Sequence, residues 1–314
     1  MTQFSGLIPP IITPLTPDGS VDHASLRSLI EFQLAAGVSG IFVLGSSGEA
    51  IYLDDGARVE VAGIAADALA GRAALLVGTL DSTPARVIAQ SRLFKGVYVD
   101  GFVVTAPFYA NPSPAEVTRH FHAIAAATQT PILAYDIPGN TGRRLDHTIV
   151  TELLTDGTIV GFKDSSGSLT EFRLILDALG ENRTTAMLTG ADTLADLAMI
   201  LGADGLIPGL ANVRPELFVS LLNAIRDGYS QQAVTYQSAI TEFVSIFGAG
   251  QRYGLGRHAS ELGALKYLLH RRGVIEHTTV SAPMTPYPVD ALRDVDTIDS
   301  RVEGILSRGH APTT

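Results

Sequence analysis

Thr158-Ile159-Val160-Gly161-Phe162-Lys163-Asp164-Ser165-Ser166-Gly167 begins as a short apolar, β-branched run and ends in a polar, glycine-closed loop. Ser168 follows as a helix-start residue, and an amphipathic period runs over 169–179. The stretch therefore reads as one strand–loop–helix unit. The same unit recurs along the chain. Strands are expected at 7–13, 40–44, 74–78, 101–105, 132–135, 158–163, 186–189 and 205–208. Helical stretches such as 22–36, 55–70, 84–94, 114–127 and 194–201 lie between them, with Asp22, Thr83 and Ser113 as further start signals. Eight units spaced by roughly 25–35 residues imply a parallel sheet. Eight in about 220 residues, with no Gly-x-Gly-x-x-Gly after the first strand, favour a closed (β/α)8 TIM barrel over an open doubly wound sheet. From Pro215 the pattern is helical, over 215–226, 232–247, 260–272 and 289–307. The first of these completes the barrel. The expected organisation is a barrel over 1–228 and a C-terminal helical extension over 229–314, packed as one structural unit. The glycine-rich run from Gly248 to Gly256 reads as a flexible connection, and 308–314 as a frayed tail.

Composition narrows the function. The 314 residues are 46% apolar and 17% charged, which describes a globular chain with enough material for a large core. A low charged fraction also agrees with surface buried between subunits. A net charge of −10 without a basic cluster argues against nucleic acid. No run of about 18 apolar residues suggests a membrane span, and the first residues carry no secretion signal. Without cysteine there is no disulfide or thiolate chemistry; the cytoplasm is the default location.

Lysine is scarce. Of 22 positive side chains only Lys95, Lys163 and Lys266 are lysine. Lys163 closes an apolar strand, where burial lowers an amine pKa from about 10.4 by up to roughly 3–5 units. A partly neutral amine attacks carbonyls, so Lys163 is a candidate Schiff-base lysine. The alternative is a strand-end lysine that snorkels or pairs with Asp164. Barrel chemistry sits at the C-terminal strand ends. There Tyr135 ends the strand before that of Lys163, so a phenol and an amine converge, a pairing suited to proton transfer during carbinolamine formation and C–C cleavage. Gly45-Ser46-Ser47-Gly48 is a tight loop whose N–H groups and hydroxyls suit a carboxylate. Taken singly, that loop reads as a plain turn and Tyr135 as a core aromatic.

These stretches carry a resemblance over most of the chain, from Pro9 to about Pro288. Gly45-Ser46-Ser47-Gly48-Glu49, the Tyr135-x-x-Pro138-x-x-Thr141-Gly142 run, Gly161-Phe162-Lys163-Asp164-Ser165-Ser166-Gly167 and Pro283-Met284-Thr285-Pro286 together resemble the dihydrodipicolinate synthase / N-acetylneuraminate lyase family of pyruvate-dependent class I aldolases. The resemblance implies that Lys163 forms an imine with the 2-oxo group of pyruvate or a longer 2-oxo acid and that Tyr135 shuttles protons. It implies that Ser46 and Ser47 bind the carboxylate, with Ser47 also relaying protons to Tyr135. Tyr109 aligns with a tyrosine that enters a neighbouring subunit's site, so a homotetramer is implied. Gly48, Asn140, Ser165, Gly190, Asp192 and Ile207 are expected to line the substrate.

The departures bear on substrate. Asn140 stands where dihydrodipicolinate synthases usually carry a carboxylate-binding arginine. Asn140-Thr141-Gly142 looks instead like hydroxy-oxo-acid and sugar-acid aldolases. Arg143 and Arg144 follow, as a replacement charge or as a solvated basic pair. Asp136 replaces a commoner asparagine and Pro10 a small alanine. Of the acidic pair in neuraminate lyases only Asp192 remains, followed by Thr193.

The expected activity is a Schiff-base lyase. It would cleave a 2-oxo-4-hydroxy (2-keto-3-deoxy) acid to pyruvate and an aldehyde, or dehydrate a related sugar acid. No metal or organic cofactor is expected, because the imine is the electron sink. The rivals are a 4-hydroxy-tetrahydrodipicolinate (dihydrodipicolinate) synthase and, from another class, a non-catalytic barrel that binds a 2-oxo acid. His120-Phe121-His122 mimics a metal motif but falls on a helix, where i and i+2 diverge. Glu116, Asp164 and Glu171 read as structural or surface carboxylates, and Lys95 and Lys266 as lysines with no polar constellation beside them.

Overall fold

Among residues 4–309, which the computed structural model describes, eight parallel strands alternate with helices. The strands are β1 (Gly6–Leu7), β2 (Gly40–Val43), β3 (Ala74–Gly78), β4 (Gly101–Thr105), β5 (Ile132–Asp136), β6 (Gly161–Asp164), β7 (Ala186–Thr189) and β8 (Gly205–Leu206). Between them run α1 (His23–Ala35), α2 (Asp55–Leu69), α3 (Pro84–Leu93), α4 (Pro114–Ala127), α5 (Pro138–Thr141), α6 (His147–Thr155), α7 (Leu169–Leu179) and α8 (Ala195–Leu201). Then come α9 (Pro215–Arg226), α10 (Ser230–Phe243), α11 (Ile246–Ala249), α12 (Arg257–Arg271) and α13 (Val289–Gly309).

The ladder runs β1-β8-β7-β6-β5-β4-β3-β2. It closes where Phe42 N–H donates to Pro9 O at 2.9 Å and Ile11 N–H donates to Phe42 O at 3.0 Å. The fold is thus a (β/α)8 barrel with a helical C-terminal extension. Regular β1 pairing is far shorter than the expected 7–13. Pro9, Pro10 and Pro14 have no N–H to give, so the segment stays extended but pairs only at intervals. Buried Asn212 supplies the missing seam: it accepts from Ile12 N–H at 2.8 Å and donates to Pro10 O at 2.9 Å.

Helix starts follow local chemistry. Asp22, Asp54, Asp146 and Ser168 each accept a first-turn backbone N–H, and proline opens α3, α4 and α9. Ser113 and Glu116 form a capping box, and His147 N–H donates to Glu171, so these two carboxylates are structural. The helix expected at 232–247 is broken into α10 and α11. The run after it is no flexible connection: Gly250 is buried and its N–H donates to Ser260 Oγ at 2.9 Å. Arg308 and Gly309 continue α13; 310–314, the rest of the expected tail, lie outside the described residues.

Strand alternation aims the chemistry. On β5, Ile132 and Ala134 join the apolar layer under α4 and α6, while Leu133 and Tyr135 point into the barrel with Phe42, Val103 and Leu188. Tyr135 pairs across the ladder with Lys163, and Lys163 with Leu188, so the lysine shares that inward direction.

Candidate active site

Lys163 is almost wholly buried, with Nζ 4.0 Å from the centre of the Tyr135 ring and 5.0 Å from that of Phe42. Burial pushes its pKa down to about 7, and the charge of Asp192 partly opposes this. Asp192 is pushed up to about 7, first by burial, with Leu210 N–H and Lys163 pulling it back. At neutral pH the pair holds its protons loosely, which leaves a substantial fraction of neutral amine. Replacing Asp192 by Asn removes the charge that raises the lysine's pKa. The acid limb of pyruvate trapping at Lys163 is therefore expected to move to lower pH; a limb that stays put or moves up refutes the coupling.

Tyr135 is buried, and burial raises its phenol to about 12, moderated by hydrogen bonds with Ser165 and Ser46. Ser47 lines the same cavity. Gly190 is where close packing demands glycine. A Cβ there would stand 2.3 Å from Ser165 Oγ and 3.0 Å from Lys163 Cε. Gly48 is equally confined: a Cβ would meet the Leu44 nitrogen at 2.9 Å, and its carbonyl accepts from Thr13 Oγ1 at 2.7 Å.

A cavity of about 420 Å³ joins these groups. It brings together Lys163, Tyr135, Ser46, Ser47, Asn140, Ser165, Gly190, Asp192 and Ile207, with Pro10 and Thr193 at the wall. Tyr109 is not in it. It stands fully exposed between β4 and α4 with φ 72°, a left-handed conformation that costs a bulky residue about 1–3 kcal/mol. Neither Arg143 nor Arg144 lines it. Arg144 Nε donates to Asp136 Oδ2 at 2.9 Å, and Arg143 donates to the Pro112 carbonyl. Asp136, raised to about 6 by burial, also accepts from Leu145 N–H at 2.9 Å. Its carboxylate thus anchors the 143–145 turn, so the basic pair is tied to the scaffold rather than solvated.

Five wall residues come from the C-terminal extension: Val244, Phe247, Arg257, His258 and Glu261. The sequence reading places Val244, Phe247 and Glu261 on helices without a site role and leaves Arg257 and His258 outside any helix, because nothing in chain order says which element a C-terminal helix packs against. The polar cluster Arg257, His258, Glu261 just after a glycine-rich run was the available signal.

Lys266 also departs from expectation. It is fully buried on α12, ion-paired to buried Glu49 and donating to the Thr279 carbonyl. Glu49 also accepts from Ser281 N–H at 2.7 Å. Burial lowers the Lys266 pKa and Glu49 opposes that shift. Leu44 and Glu49 both have positive φ, 57° and 58°, so the loop that carries Ser46 and Ser47 is strained at both ends and tied down at Glu49. Lys266→Met alone should destabilise by roughly 3–5 kcal/mol, because it strands a buried carboxylate. Glu49→Gln with Lys266→Met should recover most of that in a denaturant titration. Additive losses would contradict the pairing.

The metal reading of the two histidines finds no support in geometry. His120 lies on the buried face of α4, its pKa lowered to about 4 by burial, whereas His122 faces out to Asp156 at 2.8 Å. Among the described residues no helix is long and apolar enough to cross a membrane.

Comparison with known proteins agrees with the fold. The model of the dihydrodipicolinate synthetase family matches residues 3–300. A 4-hydroxy-tetrahydrodipicolinate synthase of Porphyromonas gingivalis is 30% identical over 307 residues, covering 98% of each chain. YagE of Escherichia coli, named provisionally as a 2-dehydro-3-deoxy-D-gluconate aldolase, is 32% identical over 78% of this chain and 82% of its own. The crystal structure of YagE in complex with pyruvate superposes with a TM-score of 0.88 at 29% identity, covering 96% of this chain and 99% of that one. The chain therefore belongs to the dihydrodipicolinate synthetase family and is a lyase of the class I aldolase type.

Proposed function

We propose that the enzyme cleaves a 2-oxo-3-deoxy-4-hydroxy acid to pyruvate and an aldehyde through an imine on Lys163, or runs the reverse condensation. The observation that carries this is a buried amine with a pKa near 7 placed 4.0 Å from the Tyr135 ring centre. The neutral amine adds to the C2 carbonyl. Tyr135, protonated at neutral pH, is placed to donate as the carbinolamine loses water. The resulting iminium puts a cation beside the phenol and draws its pKa down. Tyr135 can then give up its proton and accept the one on the C4 hydroxyl. The C3–C4 bond breaks, its electron pair flows into the imine to give an enamine, and the aldehyde leaves. Protonation at C3 and addition of water release pyruvate and restore the amine. The pyruvyl carboxylate is assigned to Ser46, Ser47 and the backbone of their loop. The lysine serves as electron sink, so no other cofactor enters the reading. Removal of a C3 proton from the uncleaved imine gives an enamine that can instead expel the C4 hydroxyl as water, hence dehydration of a related sugar acid.

The synthase reading is the weaker one. Asn140 cannot replace a bidentate arginine, and Arg143 and Arg144 are held elsewhere. Exposed Tyr109, in its strained conformation, supports an assembly in which it enters a partner's site, and a homotetramer is the form proposed. The test compares kcat/KM on one preparation. Cleavage of 2-dehydro-3-deoxy-gluconate is expected to exceed condensation of pyruvate with aspartate semialdehyde by about 10–150-fold, the worth of one lost charge-assisted hydrogen bond. The opposite order would make the enzyme a synthase.

A further inference from the structure

We propose that Arg257 and Glu261, both on α12, select the aldehyde-side tail of the substrate, and that they select hydroxyls over a second carboxylate. The inference rests on the lyase reading above and names its specificity device. Arg257 Nε donates to Glu261 Oε1 at 2.8 Å, and both residues line the cavity that holds Lys163. The guanidinium lies over the α5 turn, its Nη1 3.0 Å from where a Cβ on Gly139 would stand. That turn carries Asn140. A cation therefore does reach the place where the sequence lacks one, but from a different element and with its own counter-charge.

The pair differs from an ordinary exposed i,i+4 bridge in what it faces. The Arg257 side chain is 68% exposed but that of Glu261 only 23%. The negative charge of Glu261 acts on both Tyr135 and Asp192, so its field reaches the reacting centre. The formal charges lining the cavity balance: Lys163 and Arg257 against Asp192 and Glu261. A second substrate carboxylate would meet two acidic side chains for one already-paired guanidinium. A hydroxyl donates and accepts at once, so it accepts a hydrogen bond from a guanidinium N–H or the Asn140 amide and donates one to Glu261. His258, the third member of the cluster, stacks on Tyr52 with ring centres 5.9 Å apart. The wall is thus built for a neutral polyhydroxylated tail.

The test is a selectivity ratio: kcat/KM for condensing pyruvate with glyceraldehyde, divided by that with propanal, which has the same chain without hydroxyls. Arg257→Leu and Glu261→Leu should each lower this ratio about 10–100-fold, the scale of one charge-assisted hydrogen bond. Arg257→Lys should restore part of it. Glu261→Gln serves if a leucine variant fails to fold. An unmoved ratio overturns the inference, since a merely structural pair would depress both aldehydes alike. So does a parent enzyme that prefers aspartate semialdehyde to glyceraldehyde. Borohydride trapping of pyruvate separates the two levels. Trapping at Lys163 with an unmoved ratio removes only this inference; no trapping at Lys163 removes the lyase reading and this inference with it.

Discussion

Incubation with pyruvate and borohydride should leave a reduced adduct on the peptide that contains Lys163, and on neither Lys95 nor Lys266. Lys266 is the instructive control. It is as buried as Lys163 and also has a lowered pKa, but its amine is ion-paired to Glu49 and hydrogen-bonded to Thr279. Burial alone does not make a nucleophile; the amine must also lack a dedicated counter-ion and face open volume. Lys163 meets both conditions: among the described residues it has no ion-pair partner within 4.0 Å, and a cavity lies before it. Lys163→Met removes the nucleophile without burying a new charge and should lower kcat by roughly 10⁴–10⁶-fold, the scale of losing a covalent nucleophile. Lys163→Arg should be equally inactive, because a guanidinium stays protonated. An adduct on Lys266, or turnover within tenfold of the parent, would remove the imine from the mechanism.

The second large effect is expected at Tyr135. Tyr135→Phe keeps the ring that packs edge-on against Phe42, with ring centres 6.4 Å apart and planes at 84°, and removes only the hydroxyl shared with Ser165 and Ser46. Folding should therefore be retained while kcat falls about 10²–10⁴-fold, as for loss of a general acid–base group. Trapping of pyruvate should also slow, since carbinolamine dehydration uses the same proton. Full turnover in this variant would show that another group moves the proton. Ser165 and Ser46 would be the first to examine, because both stand beside the hydroxyl.

Several features were legible in the chain because they depend on neighbours in sequence. The repeat of apolar run, polar loop and amphipathic period specifies the barrel, since each period has only one way to bury its apolar face. The limits of α4, α7 and α9 agree with the residues read for them, because Ser113, Ser168 and the prolines at Pro114 and Pro215 set those starts locally. The convergence of Tyr135 and Lys163 was legible too. Adjacent parallel strands in register place their ends side by side, and the alternation of side chains sets their common direction.

What only the tertiary structure decided lies where distant segments meet. Glu49 and Lys266 are 217 residues apart (266 − 49) and pair only because α12 folds back over the first strands' loops. The same return brings Arg257 and Glu261 to the cavity mouth. Arg144 was drawn to Asp136, a partner eight positions away that chain order did not single out. Periodicity reports which face of an element is buried, not which other element buries it. Charge pairing and cavity walls depend on that second fact, so the barrel and its buried strand-end lysine could be read from the sequence, while the counter-ions and the C-terminal wall of the cavity could not.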